Sequence, residues 1–261
     1  MGRKTLIDWA DASWNPVTGC KHGCEYCYAR GIARRFGCKI NGDMGTALAV
    51  LEKPYVSMDG VTNPYPYEFL PTYHKYRLDI PQTWKRPKNI FVCSMADLFG
   101  DWVPDEWIID VLNACQEAPQ HRYLFLTKNP LRYVQLAKKD IIKGTEENFW
   151  FGSTTTKHNA SAFFVAPGPD TKTICKTFIS IEPILERFGK CDENGSVAKT
   201  DWVIVGAETG NRKEKVIPEK EWITELAEEC DKYGKPIFMK ESLRGIMGED
   251  FRQEFPWEAK C

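Results

Sequence analysis

Three cysteines fall within the stretch Cys20-Lys-His-Gly-Cys24-Glu-Tyr-Cys27, spaced C-x3-C-x2-C, and Tyr26 stands directly before the last of them. Thiolates this close in sequence can grip one face of a metal centre without help from distant segments. They leave the opposite face open. A closed structural zinc site takes a fourth ligand, usually from a second short Cys/His pair. The sequence holds no such pair. A [4Fe–4S] cluster held by three cysteines keeps one iron without a protein ligand, free for a substrate or cofactor. The spacing therefore points to an open cluster ahead of zinc or bare thiols.

This spacing, with an aromatic before the third cysteine, resembles the radical S-adenosylmethionine (SAM) enzymes. The resemblance implies that Cys20, Cys24 and Cys27 ligate a [4Fe–4S] cluster. It implies that the open iron chelates the amino and carboxylate groups of SAM, and that Tyr26 packs near the adenine. It further implies that an electron, drawn from an external donor, cleaves SAM to methionine and a 5′-deoxyadenosyl radical.

A loop of this kind needs a strand before it and a helix after it. Residues 15–19 read as a short strand or extended segment, and Pro16 suits a sheet edge rather than a centre. After Cys24, Tyr26, Ala29, Ile32, Ala33 and Phe36 recur at helical spacing, and Gly37 ends the run. From residue 89 onward, short apolar runs alternate with helical patterns. The runs are 90–93, 123–126, 149–151, 177–181, 202–205 and 236–239. Helices are expected from Pro104, over 131–139 and from Pro218 to Gly234, with weak helical signal after Gly152 and Glu182. Apolar runs that each end in polar residues and alternate with helices describe an α/β fold. The expected form is a partial or near-complete parallel (β/α) barrel of the radical SAM type, the cluster loop following the first strand.

In such a barrel the polar strand ends converge at one mouth beside the cluster loop. SAM, implied by the resemblance, offers an amine, a carboxylate, a ribose diol and an adenine. Asp97, Glu182 and Glu208 are candidate acceptors for the amine. Lys128, Arg132 or Lys240 could meet the carboxylate. Ser94, Ser153, Ser180 or Glu208 could meet the ribose. For each residue the plain alternative is a solvated strand end or a helix cap. The turn Gly206-Ala-Glu-Thr-Gly210 lacks the G-x-G-x-x-G spacing of a dinucleotide site and reads as a tight turn that brings backbone near a ligand.

The chain has 261 residues, and its ordinary composition suits one barrel domain over 1–261 with a Pro- and Tyr-rich insertion at about 38–88. The insertion reads as a lid or substrate-recognition segment, with His74 and Arg77 its notable polar groups. Lys+Arg number 35 against Asp+Glu 36, so the net charge of −1 gives no global field for nucleic acid. No apolar run is long enough for a membrane span and no signal peptide is evident, which points to a cytoplasmic protein. Of the ten cysteines, Cys93, Cys115 and Cys230 fall on apolar faces and read as core thiols. Cys38, Cys175, Cys191 and Cys261 are scattered. His22, His74, His121 and His158 show no metal-binding spacing, and His22 reads as a solvent-facing loop residue.

The segments Trp14-Asn-Pro-Val-Thr-Gly-Cys20, Gly23-Cys24-Glu-Tyr-Cys27-Tyr-Ala29, Phe91-Val-Cys-Ser-Met-Ala-Asp-Leu-Phe99, Leu126-Thr-Lys128, Ile181-Glu-Pro183 and Asp201-Trp-Val-Ile-Val-Gly-Ala-Glu-Thr-Gly210 are similar to a phage and bacterial three-Cys-motif family. Many of its members carry a longer gap between the first two cysteines. The resemblance implies a radical SAM barrel in a phage or mobile-element context, host cytoplasm included. It suggests an isomerase or base-modifying enzyme acting on DNA or a modified nucleoside. A radical SAM enzyme on a small molecule, or a zinc- or thiol-based nucleic-acid-binding module without catalysis, are the alternatives. For a polymer substrate the dense basic groups are Arg30, Arg34, Arg35, Lys75, Arg77, Lys85, Arg86 and Lys88, with Tyr73 and Tyr76 as base platforms.

Overall fold

The computed structural model describes residues 5–37, 48–143, 147–156, 176–189, 193, 195–210 and 212–258. The chain divides into two compact units, residues 1–132 and 133–261.

The first unit runs through β1 (Ala12–Trp14), β2 (Val17–Thr18), α1 (Tyr28–Phe36), β3 (Ala49–Leu51), β4 (Tyr55–Val56), β5 (Thr62–Asn63), β6 (Thr72–His74), β7 (Asn89–Val92), α2 (Asp105–Gln116) and β8 (Arg122–Thr127). Strands β1, β7 and β8 are parallel with β7 in the middle; Phe91 stands opposite Ser13 on one side and Leu124 on the other. Their apolar runs are buried, Ile90, Val92, Leu124 and Phe125 among them, as parallel strands require. Helix α2 covers them with Trp107, Ile108, Val111, Leu112 and Cys115. Asp105 and Glu106 in its first turn suit the positive end of the helix.

A smaller sheet pairs β6 antiparallel to β2 and parallel to β3. It takes residues 72–74 of the insertion into a sheet. Tyr73 is buried, stacks on Trp107 with ring centroids 5.1 Å apart, and donates its hydroxyl to Asp110 at 2.7 Å. It is therefore no base platform. His74 is fully buried, with Nε2 2.9 Å from Thr18 Oγ1. Arg77 donates to the carbonyls of Asn15 at 2.9 Å and Pro64 at 3.3 Å. Aromatic-rich segments broken by prolines carry no period, while cross-strand pairing buries Thr72, Tyr73 and His74. Residues 38–47 of the insertion lie outside the described residues.

The second unit takes up α3 (Leu131–Lys138), which starts at the boundary, then β9 (Phe149–Thr155), β10 (Lys176–Ile181), α4 (Ser196–Lys199), β11 (Trp202–Val205), α5 (Lys220–Lys232), β12 (Ile237–Met239) and α6 (Arg244–Met247). Strands β9, β10, β11 and β12 are parallel in that order. Ile179, Ile181, Val203, Val205, Ile237 and Met239 form one apolar cluster with Ile223, Leu226 and Cys230 of α5. Each such aliphatic side chain contributes roughly 1.5–3 kcal/mol when fully buried. Strand β9 runs on through Gly152 and Ser153, which the sequence places beyond its end. Gly152 is opposite Phe178, whose ring lies 2.3 Å from where a Cβ would stand. The small residue makes room for a neighbour, and the ladder continues.

The chain thus has the expected α/β class, with three parallel strands in the first unit and four in the second, and the cysteine loop follows the first of them.

Candidate functional site

The cysteine loop leaves β2 under tight constraint. Gly19 adopts φ +87°, and a Cβ there would fall 2.2 Å from the Leu70 carbonyl oxygen, so the position admits glycine alone. Gly19 N donates to Met95 O at 2.9 Å and Cys20 N to Phe69 O at 3.2 Å. At the far end of the loop, Tyr28 donates its hydroxyl to Ser94 O at 2.8 Å. Cys20, Cys24 and Cys27 are half-buried free thiols.

This donor set suits an iron–sulfur cluster. Cys27 caps α1, its sulfur accepting from Arg30 N at 3.4 Å, and the positive end of a helix favours an anionic sulfur. Burial pushes the Cys20 thiol up to about 12; the His22 amide works against that rise, while charge on Asp97, Cys24 and Cys27 adds to it. A thiolate at Cys20 therefore needs a neighbouring cation, which a ligated metal supplies. Among the described residues, no three His, Cys, Asp or Glu side chains converge on a single-ion site.

Asp97 ties together the carboxyl ends of the three parallel strands in the first unit. It follows the central strand β7, so it reaches both neighbours. It is buried, and its Oδ2 lies 2.7 Å from Nε2 of His22 in the cysteine loop. Its carboxylate also accepts from Phe99 N at 3.0 Å, Thr127 Oγ1 at 2.7 Å and Lys128 N at 2.9 Å. His22 is therefore not the solvent-facing residue that the sequence suggests; its side chain is 22% exposed and its ring meets Trp102 edge-on at 4.8 Å. Lys128 returns to the loop: Nζ donates to Tyr26 Oη at 3.3 Å and stands 5.3 Å from the ring centroid. Ser94 donates to Asn15 Oδ1 at 3.2 Å, and that same oxygen accepts from Met95 N at 2.9 Å. Asn15 was absent from the sequence candidates; an amide beside Pro16, just ahead of the cysteines, is its only sequence signal. Arg132 pairs with Asp105 at 2.5 Å instead of remaining free for a ligand.

The second unit holds the remaining candidates. Lys240 and Glu182, both half-buried, pair with each other. Glu208 is buried on the turn after β11 and bonded through both oxygens to Arg212, which holds its carboxyl below the usual range. Ser153 lies within β9 in register with Ile179, and its buried hydroxyl has no hydrogen-bond partner among the described residues. Ser180 is likewise buried within β10. Cys93, Cys115 and Cys230 are buried as expected, and burial pushes the Cys93 thiol up to about 12. Cys38, Cys175, Cys191, Cys261 and His158 lie outside the described residues.

Fold and site together define a parallel α/β protein with a three-cysteine loop at the carboxyl ends of the parallel strands of its first unit. The chain belongs to the family described as protein of unknown function (DUF5131), which matches residues 4–249. The phage and bacterial three-Cys-motif family remains a likeness of motifs. No curated protein matches the chain. Among solved structures, it is similar to a spore photoproduct lyase double mutant with bound AdoMet and dinucleoside spore photoproduct, at 13% identity and TM-score 0.46. It is similar also to spore photoproduct lyase complexed with dinucleoside spore photoproduct, at 12% identity and TM-score 0.46. Both likenesses cover 97% of this chain and 81% of the other. They are too slight to bear on its fold or activity.

Proposed function

We propose that this chain is a radical SAM enzyme in which Cys20, Cys24 and Cys27 hold a [4Fe–4S] cluster. The observation that carries the reading is the C-x3-C-x2-C loop, three free half-buried thiols at the carboxyl end of the first parallel strand. Loaded with the cluster, the loop would supply the electron that cleaves SAM, itself replenished by an external donor. This chain's residues bind and orient. Tyr26 offers its ring to the adenine, and Lys128, beside it, offers a cation to the SAM carboxylate. Ser94 and Ser153 are assigned to the ribose side, and Glu182, Glu208 and Lys240 to the polar groups of SAM or substrate. Asp97 takes part through the loop it holds, because three donors and Nε2 of His22 already lie on its oxygens.

The proposed substrate is a nucleic-acid base or a group attached to one, modified or isomerised in a phage context within the host cytoplasm. The motif likeness supports that choice, as do Lys85 and Arg86, both exposed beside Trp84. No described helix is long and apolar enough to cross a membrane.

The experiment is anaerobic reconstitution followed by incubation with SAM, dithionite, and DNA or modified nucleosides, with products read by mass spectrometry. Brown protein with about four irons and four sulfides per chain, and release of 5′-deoxyadenosine, are expected. Colourless protein with a single zinc overturns the reading. Turnover of a free small molecule alone keeps the enzyme class and rejects the nucleic-acid substrate.

A further inference from the structure

We infer that His22 and Asp97 are positioning residues: the bond between them fixes where the three sulfurs of the cysteine loop stand relative to Tyr26 and Lys128. The consequence for a cluster rests on the radical SAM reading above; the tether itself does not.

The stretch from Cys20 to His22 is flanked by two glycines. Gly19 and Gly23 both take left-handed backbone, at φ +87° and +75°, and nothing lies within 4 Å of where a Gly23 Cβ would stand. Between these glycines, His22 reaches out to Asp97 at 2.7 Å. A tether holds only if its far end is fixed, and Asp97 is fixed three more times, by Phe99 N, Thr127 Oγ1 and Lys128 N. A carboxylate offers about four acceptor positions, so all are taken and the group has no other orientation to adopt. The Trp102 ring against the imidazole restricts its rotation. The path then closes on itself. Asp97 holds the Lys128 backbone, and the Lys128 ammonium meets Tyr26, the residue before Cys27. One carboxylate thereby sets both ends of the ligand loop against the cation and ring assigned to SAM. Phe99 N, Thr127 Oγ1 and Lys128 N donate to the carboxyl group, and Nε2 of His22 is its fourth neighbour.

The test compares wild type with H22L, which removes the imidazole, and H22Q, whose amide N–H replaces Nε2 in reach and direction. D97N serves as the partner variant, with thermal melting to verify that each protein is folded. Two readouts are used. The first needs no cluster: the rate at which Cys24 in the metal-free protein is alkylated by iodoacetamide. H22L is expected to raise that rate at least severalfold, and H22Q to hold it near wild type. The second uses the anaerobically reconstituted protein. H22L is expected to keep its iron, to show an altered electron paramagnetic resonance spectrum of the reduced cluster, and to bind SAM about tenfold more weakly, with H22Q restoring both. Unchanged alkylation and an unchanged spectrum in H22L overturn the tether, as does equal loss in H22L and H22Q. A wild type that takes up no cluster, with alkylation still raised in H22L, overturns the radical SAM reading and leaves the tether standing.

Discussion

Arg212 closes on Glu208 with two nitrogens, Nε 2.7 Å from Oε1 and Nη2 2.8 Å from Oε2, on the turn that follows β11. The carboxylate is 1% exposed and the guanidinium 32%. Removing Arg212 strands a buried charge, whereas removing both charges does not. R212A is therefore expected to destabilise the chain by about 3 kcal/mol, and R212A/E208Q by clearly less, as measured by urea unfolding. Equal losses in the two variants would show that the pair adds nothing beyond packing.

Cys24→Ala is expected to abolish cluster uptake and leave the parallel strands intact. The cores of both units come from residues far along the chain, such as Ile90, Phe125, Ile179 and Val203, not from the loop. Iron content after anaerobic reconstitution should fall to background while the far-ultraviolet circular dichroism stays that of the wild type. Full iron retention would remove Cys24 from the ligand set.

Gly19→Ala strains the start of the loop in two ways. The left-handed backbone costs about 1–3 kcal/mol for a residue with a side chain, and the new methyl would overlap the Leu70 carbonyl. The expected outcome is a lower melting temperature together with weaker iron retention. Gly23→Ala, with open space around it, should cost less.

Burial pushes His74 down to about 3, with the charge on Arg77 adding to the effect. In the folded chain the imidazole stays neutral, while in the unfolded chain it takes up a proton below about pH 6.5. Unfolding then binds a proton, so stability falls as the pH drops from about 6.5 toward 3, by about 1.4 kcal/mol per unit at most. Near pH 5 the loss from this group is about 2 kcal/mol. H74Q should lack that part of the pH dependence. Parallel stability curves for wild type and H74Q between pH 7 and 5 would contradict the buried neutral state.

Nucleic-acid binding, if the substrate is a polymer, is expected to depend on Lys85 and Arg86. Both are exposed, whereas Arg77 is held by backbone carbonyls and Lys75 by Glu52. K85A/R86A should reduce the slope of log affinity against log salt by about 1.4–1.8. R77A should instead lower stability and leave the slope unchanged. A slope that ignores Lys85 and Arg86 would place the contact elsewhere or argue for a free nucleoside.

The sequence by itself determined the chemistry-bearing loop and the fold class. Three closely spaced thiols are a local pattern, and so are apolar runs of strand length such as Phe178-Ile179-Ser180-Ile181. Helix faces were equally legible, because Trp107, Ile108, Val111 and Leu112 repeat at the helical period. Tertiary structure decided which polar groups meet. His22 and Asp97 lie 75 residues apart and have no common period. They meet because β1 and β7 pair side by side and hold their carboxyl ends together. Pairing of β7 with β8 brought Thr127 and Lys128 onto Asp97 and occupied its oxygens. Pairing of β9 with β10 kept Gly152 and Ser153 inside β9, and the smaller sheet buried Tyr73 against Trp107. Periodicity reports how much of a residue is buried, since burial follows from local geometry. Hydrogen-bond partners follow from strand register and side-chain packing, which only the folded chain fixes.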